Sequence, residues 1–185
     1  ASQLDEGFVR DQAMSRTADH FARKDFEAAK EWAESVSSND GAEKVIGPVT
    51  RNWASRDPEA AMDWVSSLPE GKAQHSGTWA ALNGWAGKDP TAASDYLANM
   101  PDSEMRNTAI SGFSDRLVWE NPQAAMTWAS SITSDEMRND TMTRVGRSWA
   151  RKNPQAAADW AENTPGIPST IQTEIENVNR SKRKN

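Results

Sequence analysis

The sequence predicts an all-α fold: an α-α superhelix, or solenoid, of about five 32-residue helical hairpins with a partial repeat at each end. One phrase carries most of that prediction, aromatic-Ala-x-x-(Asp/Asn)-Pro-x-Ala-Ala-x-x-aromatic. It runs from Trp53 to Trp64, from Trp85 to Tyr96 and from Trp149 to Trp160, with looser copies from Phe21 to Trp32 and from Leu117 to Trp128. The copies start at 21, 53, 85, 117 and 149, a constant step of 32 residues without a gap. A period of this size marks a stacked array of supersecondary units. Eight of the nine prolines fall at or beside the corners that the phrase creates. The last repeat turns polar, which a solenoid needs in order to stop stacking.

The elements follow in order. Residues 1–24 form a partial first repeat, in which 4–20 match a second helix whose first is missing, and full repeats begin near 25, 57, 89, 121 and 153. Within the repeat at 57–89, Asp57 supplies the short acceptor side chain of a helix N-cap, and Pro58 suits the first helical position. Asp89-Pro90, Asn121-Pro122 and Asn153-Pro154 repeat the device. The first helix carries Ala60, Ala61 and Trp64 on one face, since three- and four-residue spacings coincide there. Leu68-Pro69-Glu70-Gly71 then breaks it with turn chemistry. A second helix over roughly 72–87 ends on Trp85-Ala86. Pro48, after Gly47, lies inside such a second helix and is expected to kink it. Residues 165–185 are expected to form a capping helix with a frayed basic tail, because Ser181 and Lys182 stand where other repeats hold Trp-Ala. The whole of 1–185 is thus expected to be a single helical-repeat array, a right-handed superhelix with two unlike faces.

Composition fits a stack whose burial is spread along a line. Apolar residues make up 36% of the chain and mean hydropathy is −0.82. Nine tryptophans are far too many for disorder, which is poor in aromatics. No stretch approaches the roughly 18 consecutive apolar residues of a membrane span. The net charge of −6 is uneven: Arg180 to Asn185 carry four positive charges, leaving 17 basic against 27 acidic side chains in 1–179. An acidic body repels nucleic acid and anionic lipid, which argues against both as partners. The absence of cysteine excludes disulfides and thiol chemistry but selects no compartment. The chain starts at Ala1 without a methionine, which leaves a removed secretory leader open.

Paired helices, an aromatic-Ala ending and an Asp-Pro corner together resemble tetratricopeptide-like α-solenoids. The resemblance is architectural, because that family has a 34-residue period and a Trp-x-x-Leu-Gly-x-x-Tyr block where this chain has Ala-Ala-x-x-Trp. The chain is more similar to bacterial proteins built from the same Trp-Ala/Asp-Pro/Ala-Ala repeat. Membership would imply a helical-hairpin superhelix used for protein contacts, and it transfers no catalytic residue.

A search for chemistry finds no constellation. There is no Gly-rich phosphate loop, no Gly-x-Ser-x-Gly elbow and no His-Glu-x-x-His. His20 and His75 fall at phases held elsewhere mostly by polar residues, which makes them surface positions. No cofactor or metal is expected. Departures from the repeat are more informative. Trp79 falls where other repeats hold Ser15, Gly47, Ser111 and Thr143, and Trp119 where they hold Arg23, Ser55, Gly87 and Arg151. Both are assigned to second helices of adjacent repeats and are candidate contact anchors, tryptophan being enriched at interaction hot spots. The plainer alternatives are that Trp119 fills the vacancy left by Leu117 and that Trp79 packs under the helix at Gly47-Pro48. The other nine aromatic positions of the phrase are assigned to core. Arg106 and Arg138 open successive second helices in identical Glu-Met-Arg-Asn segments. They form either an acid-binding stripe or, the favoured reading, rungs of inter-repeat salt bridges. The Arg180–Lys184 cluster reads as a solvated tail.

The sequence therefore points to a non-catalytic scaffold whose concave face holds an unidentified protein or peptide, with a monomer the expected form. A structural spacer and a superhelical accessory arm of an enzyme remain the alternatives.

Overall fold

The computed structural model describes residues 2–165 and 167–182, with side chains given for 7–165, 167–178, 180 and 181. Among the described residues there are eleven α-helices and no strand. The chain divides into two compact units, Ala1–Asn99 and Met100–Asn185.

The first unit holds α1 (Ser2–Lys24), α2 (Phe26–Val36), α3 (Glu43–Ala54), α4 (Pro58–Ser66), α5 (Lys72–Ala86) and α6 (Pro90–Asn99). The second holds α7 (Glu104–Leu117), α8 (Pro122–Ser130), α9 (Asp135–Lys152), α10 (Pro154–Asn163) and α11 (Ser169–Lys182). Odd-numbered helices form an inner row in each unit: α3 touches α1 and α5, and α9 touches α7 and α11. The even helices form an outer layer. Thus α2 lies against both α1 and α3, α4 against α3 and α5, α8 against α7 and α9, and α10 against α9 and α11.

A single residue makes each corner. The backbone N–H of Asp25, Asp57, Asp89, Asn121 and Asn153 closes the last turn of the inner helix on the carbonyl four residues back, at 2.8–2.9 Å. The side chain of the same residue accepts the N–H of Ala28, Ala60, Ala92, Ala124 or Ala156 at 2.9–3.2 Å and opens the outer helix. Two orphan backbone groups are satisfied by one side chain and one amide, so no linker is needed. Asp25 does this without a following proline. On the opposite side, Gly41 (φ 84°) and Gly71 (φ 145°) turn the chain from outer to inner helix in the first unit, where a side chain would be strained. In the second unit, Ser103 and Ser134 cap α7 and α9 instead.

Packing explains the rest of the phrase. The second alanine of each pair (Ala29, Ala61, Ala93, Ala125, Ala157) is wholly buried, and so are Ala22, Ala54, Ala86 and Ala150 after the corner aromatic. These small residues let the helices close up, and the aromatics pair beside them eleven residues apart. Ring centroids lie 6.1 Å apart for Phe21–Trp32, 5.6 Å for Trp53–Trp64, 5.0 Å for Trp85–Tyr96 and 5.4 Å for Trp149–Trp160. Such pairs contribute about 0.5–1.5 kcal/mol each beyond area burial.

The assignment of all nine aromatics to core needs correction. Only Trp64, Trp85 and Trp149 are buried; Phe21, Trp32, Trp53, Tyr96, Trp128 and Trp160 are half-buried. Trp32, Tyr96, Trp128 and Trp160 lie on outer helices, and Phe21 and Trp53 lie near the ends of inner ones. The helix α3 runs through Pro48 as one element. In the last helix Ile171 and Ile175 are buried beside Gly146 of α9, while Thr170, Thr173, Glu176 and Asn177 are exposed. Arg180 pairs with Glu176 at 3.0 Å, and Arg183 to Asn185 of the expected basic tail lie outside the described residues.

Candidate functional site

The second unit departs from the repeat at the end of α7, where Leu117 occupies the phase of the corner aromatic. The space is filled by Phe113, one helical turn earlier, which is 1% exposed and sits 5.5 Å from Trp128 in an edge-on contact. Trp119 therefore does not fill the vacancy. It lies past the end of α7, in the turn that follows the C-cap Val118, and not within a helix as expected. Its ring is 51% exposed; Phe8 and Val9 on α1 are the other large exposed apolar side chains among the described residues.

The backbone that carries Trp119 is held from both sides. Its N–H donates to Arg116 O at 3.4 Å, and its carbonyl accepts from Lys152 Nζ at the end of α9. The neighbouring Glu120 is engaged with Arg116 at 3.1 Å. Lys88 does in the first unit what Lys152 does here, donating to Ser55 O at 2.9 Å. A cation at this point neutralises the partial negative charge at the end of the preceding inner helix. At Trp119 the same brace fixes a turn that presents an indole to solvent.

Trp79 is different. It is half-buried on α5, and the Arg51 guanidinium of α3 lies over its ring at 5.6 Å from the centroid. It bridges the α3–α5 seam, in keeping with packing near Gly47-Pro48. Trp79 belongs to the first unit and Trp119 to the second.

Arg106 and Arg138 pair with acids at the starts of their own helices, Asp102 just before α7 and Asp135 as the first residue of α9. Arg106 meets Asp102 at 3.3 Å; Arg138 meets Asp135 and also donates to Ile132 O at 3.0 Å. These bonds fasten the start of α7 and of α9. The salt bridges that link successive inner helices involve other residues: Lys44–Asp11 at 3.5 Å, Arg144–Asp115 at 3.1 Å and Arg147–Glu174 at 2.6 Å. Arg144 also donates to Ser111 Oγ (2.7 Å) and Thr141 Oγ1 (3.3 Å), and Thr141 donates to Ser111 (3.1 Å). Ion pairs between successive inner helices thus occur at positions other than Arg106 and Arg138, the two arginines expected to make them.

Both histidines are exposed. Among the described residues no group of three or more histidine, aspartate and glutamate side chains converges as a metal site. The hydroxyl of Tyr96 is held above its ordinary range by burial, then by the nearby charges of Asp63 and Glu59. No described helix is long and apolar enough to cross a membrane. Comparison with known proteins gives no match to a family model, a curated protein or a solved structure.

Phe113 and Arg144 are the residues that phase alignment of tryptophans alone overlooks. The sequence carries a signal for the first: a phenylalanine where other repeats hold Val49, Ala81 and Val145, one turn ahead of the only non-aromatic corner residue.

Proposed function

We propose that the chain is a non-catalytic scaffold that binds a protein or peptide, with Trp119 as a contact anchor. The supporting observation is the combination at the end of α7: the core position is filled by Phe113, while Trp119 is half-exposed on a turn braced by Lys152. Burying an exposed indole against a partner releases water from a large apolar surface, and a fixed turn reduces the ordering cost of doing so. A tryptophan that packed no core and met no partner would leave that apolar area in water without return.

The test is selection of peptides from a displayed library on the intact chain, followed by affinity measurement on Trp119→Ala. The expected loss is about 30-fold, the ~2 kcal/mol of a hot-spot truncation, with the melting temperature unchanged. Retained affinity in the variant would remove Trp119 from the interface. Failure to select any binder would favour a spacer role.

A further inference from the structure

The outer-layer grooves of the two units share one design and differ in one respect. In the first unit, the groove between α2 and α4 is closed by the chain's own side chains. Trp64 Nε1 on α4 donates to Glu34 Oε1 on α2 at 3.1 Å, and Lys30 Nζ stands 3.8 Å from the same carboxylate oxygen. The equivalent groove of the second unit lies between α8 and α10. There the repeat places Trp160 at the phase of Trp64, Ser130 at the phase of Glu34 and Met126 at the phase of Lys30. The indole is kept and both charged groups are gone.

The ring pairing is also kept. Trp149–Trp160 lies at 5.4 Å and 46°, against 5.6 Å and 44° for Trp53–Trp64. By the repeat, the residue that faces Trp160 across the groove is Ser130, where Trp64 meets Glu34. Ser130 offers no counterpart of the Glu34 carboxylate: its side chain is short, uncharged and turned to its own helix, donating to Thr127 O at 2.7 Å. Between the helices is an open groove of about 240 Å³, lined by Met126, Met142, Trp160, Pro165 and Ile167 together with hydroxyl-bearing side chains. No lining residue is charged.

We infer that the α8–α10 groove is a docking site for an uncharged apolar peptide segment, with a peptide carbonyl accepting the Trp160 indole N–H. Charge complementarity selects the occupant. A carboxylate could reach the indole as Glu34 does, but no counterpart of Lys30 is present, and methionine surroundings penalise an unpaired charge. A neutral carbonyl satisfies the donor without that cost. Methionine side chains adapt to an incoming apolar group, as they do on other peptide-binding surfaces. The volume lies below the ~300–1,000 Å³ of drug-sized ligand sites and suits a side chain with its backbone. The inference is independent of Trp119, so either can fail alone.

The experiment follows the tryptophan indole resonances of the full-length, ¹⁵N-labelled chain, with Trp160→Phe used to assign one of them. The probes are N-acetyl-leucine amide and N-acetyl-glutamate amide. The leucine probe is expected to shift the Trp160 resonance saturably, and the glutamate probe to bind about tenfold more weakly. Ser130→Glu, at an exposed position, is expected to move that resonance toward the position of Trp64 and to abolish the response to the leucine probe. No shift with the leucine probe, tighter binding of the glutamate probe, or an unchanged response in Ser130→Glu would each overturn the inference. Wild-type binding of the leucine probe by Trp119→Ala would separate this site from the proposed anchor.

Discussion

The α3–α5 seam of the first unit and the α7–α9 seam of the second join equivalent inner helices by opposite means. In the first, close approach does the work. A methyl group on Gly77 would stand 2.9 Å from Val65 Cγ2 and 3.0 Å from Ile46 Cγ2, and one on Gly84 would stand 3.0 Å from Arg51 O. In the second, the phases of Gly77 and Gly47 hold Thr141 and Ser111, which hydrogen-bond to each other and to Arg144, itself paired with Asp115. One seam relies chiefly on surfaces in close contact, with Arg51 over Trp79 and isolated bonds to main-chain carbonyls, and the other on a side-chain polar network. The repeat period sets which helices meet. It leaves the chemistry of each meeting open.

The largest effect is expected where the second unit moved its aromatic. Phe113→Ala removes a buried ring and its contact with Trp128, at a cost of about 3–5 kcal/mol in urea unfolding. Adding Leu117→Trp to that variant restores the arrangement of the other repeats and should recover part of the loss. A cost under ~1 kcal/mol for Phe113→Ala would mean that Phe113 is not the substitute for the corner aromatic.

The next test bears directly on the glycine seam. Gly77→Ala should destabilise by about 1–3 kcal/mol through overpacking, although alanine is the better helix former. Gly146→Ala in α9 should do the reverse. Its methyl would meet Ile171 and Ile175 at 3.5 Å, an ordinary contact, so the helix-propensity gain of about 0.5–1 kcal/mol survives. Equal signs for the two changes would break the contrast between the tight α3–α5 seam and the looser contact of α9 with α11.

A smaller effect is expected at Arg144, whose side chain is partly solvated. Arg144→Met should cost about 1 kcal/mol, discounted for exposure, and the cost should shrink as salt is added. The penalty of Gly77→Ala should be indifferent to salt. A melting series at low and high ionic strength checks both at once.

Much of this architecture could be read from the chain. The corner residue Asp/Asn, the alanine pair and the aromatic eleven residues on each impose a local geometry, and together they locate the helices and the inner and outer layers. Glycine at positions 41 and 71 likewise announces the turns by a conformation that other residues rarely adopt. What escaped is what depends on contacts across helices. Phe113 substitutes for Leu117 because one helical turn carries a side chain to nearly the same azimuth, a relation hidden when positions are compared only phase by phase. The charge rungs escaped because their partners lie near, not at, one period. Asp115 reaches Arg144 and Arg147 reaches Glu174 across 29 and 27 residues. Exposure of Trp119 was readable as a departure from the pattern, but the brace from Lys152 that fixes its turn was not.

The smallest effect sharpens the comparison of outer layers. Tyr96 stands in the first unit at the phase where the second holds Trp128 and Trp160, and it is the only tyrosine of the chain. Burial, then Asp63 and Glu59, hold its hydroxyl above the ordinary value of 10.0. The unfolded chain therefore loses this proton first. Above about pH 10 the folded state binds more protons than the unfolded one, and linkage requires stability to fall as pH rises toward the folded value. Below that range the group contributes no slope. Tyr96→Phe should remove this component, so the difference in unfolding free energy between the variant and the parent should be flat to about pH 10 and then grow in favour of the variant. Tyrosinate absorbance follows the single hydroxyl directly. If it titrates at its ordinary value in the folded chain, the ring is not shielded by α4 and α5, and the outer layer of the first unit is more open at that point than its aromatic pairing implies.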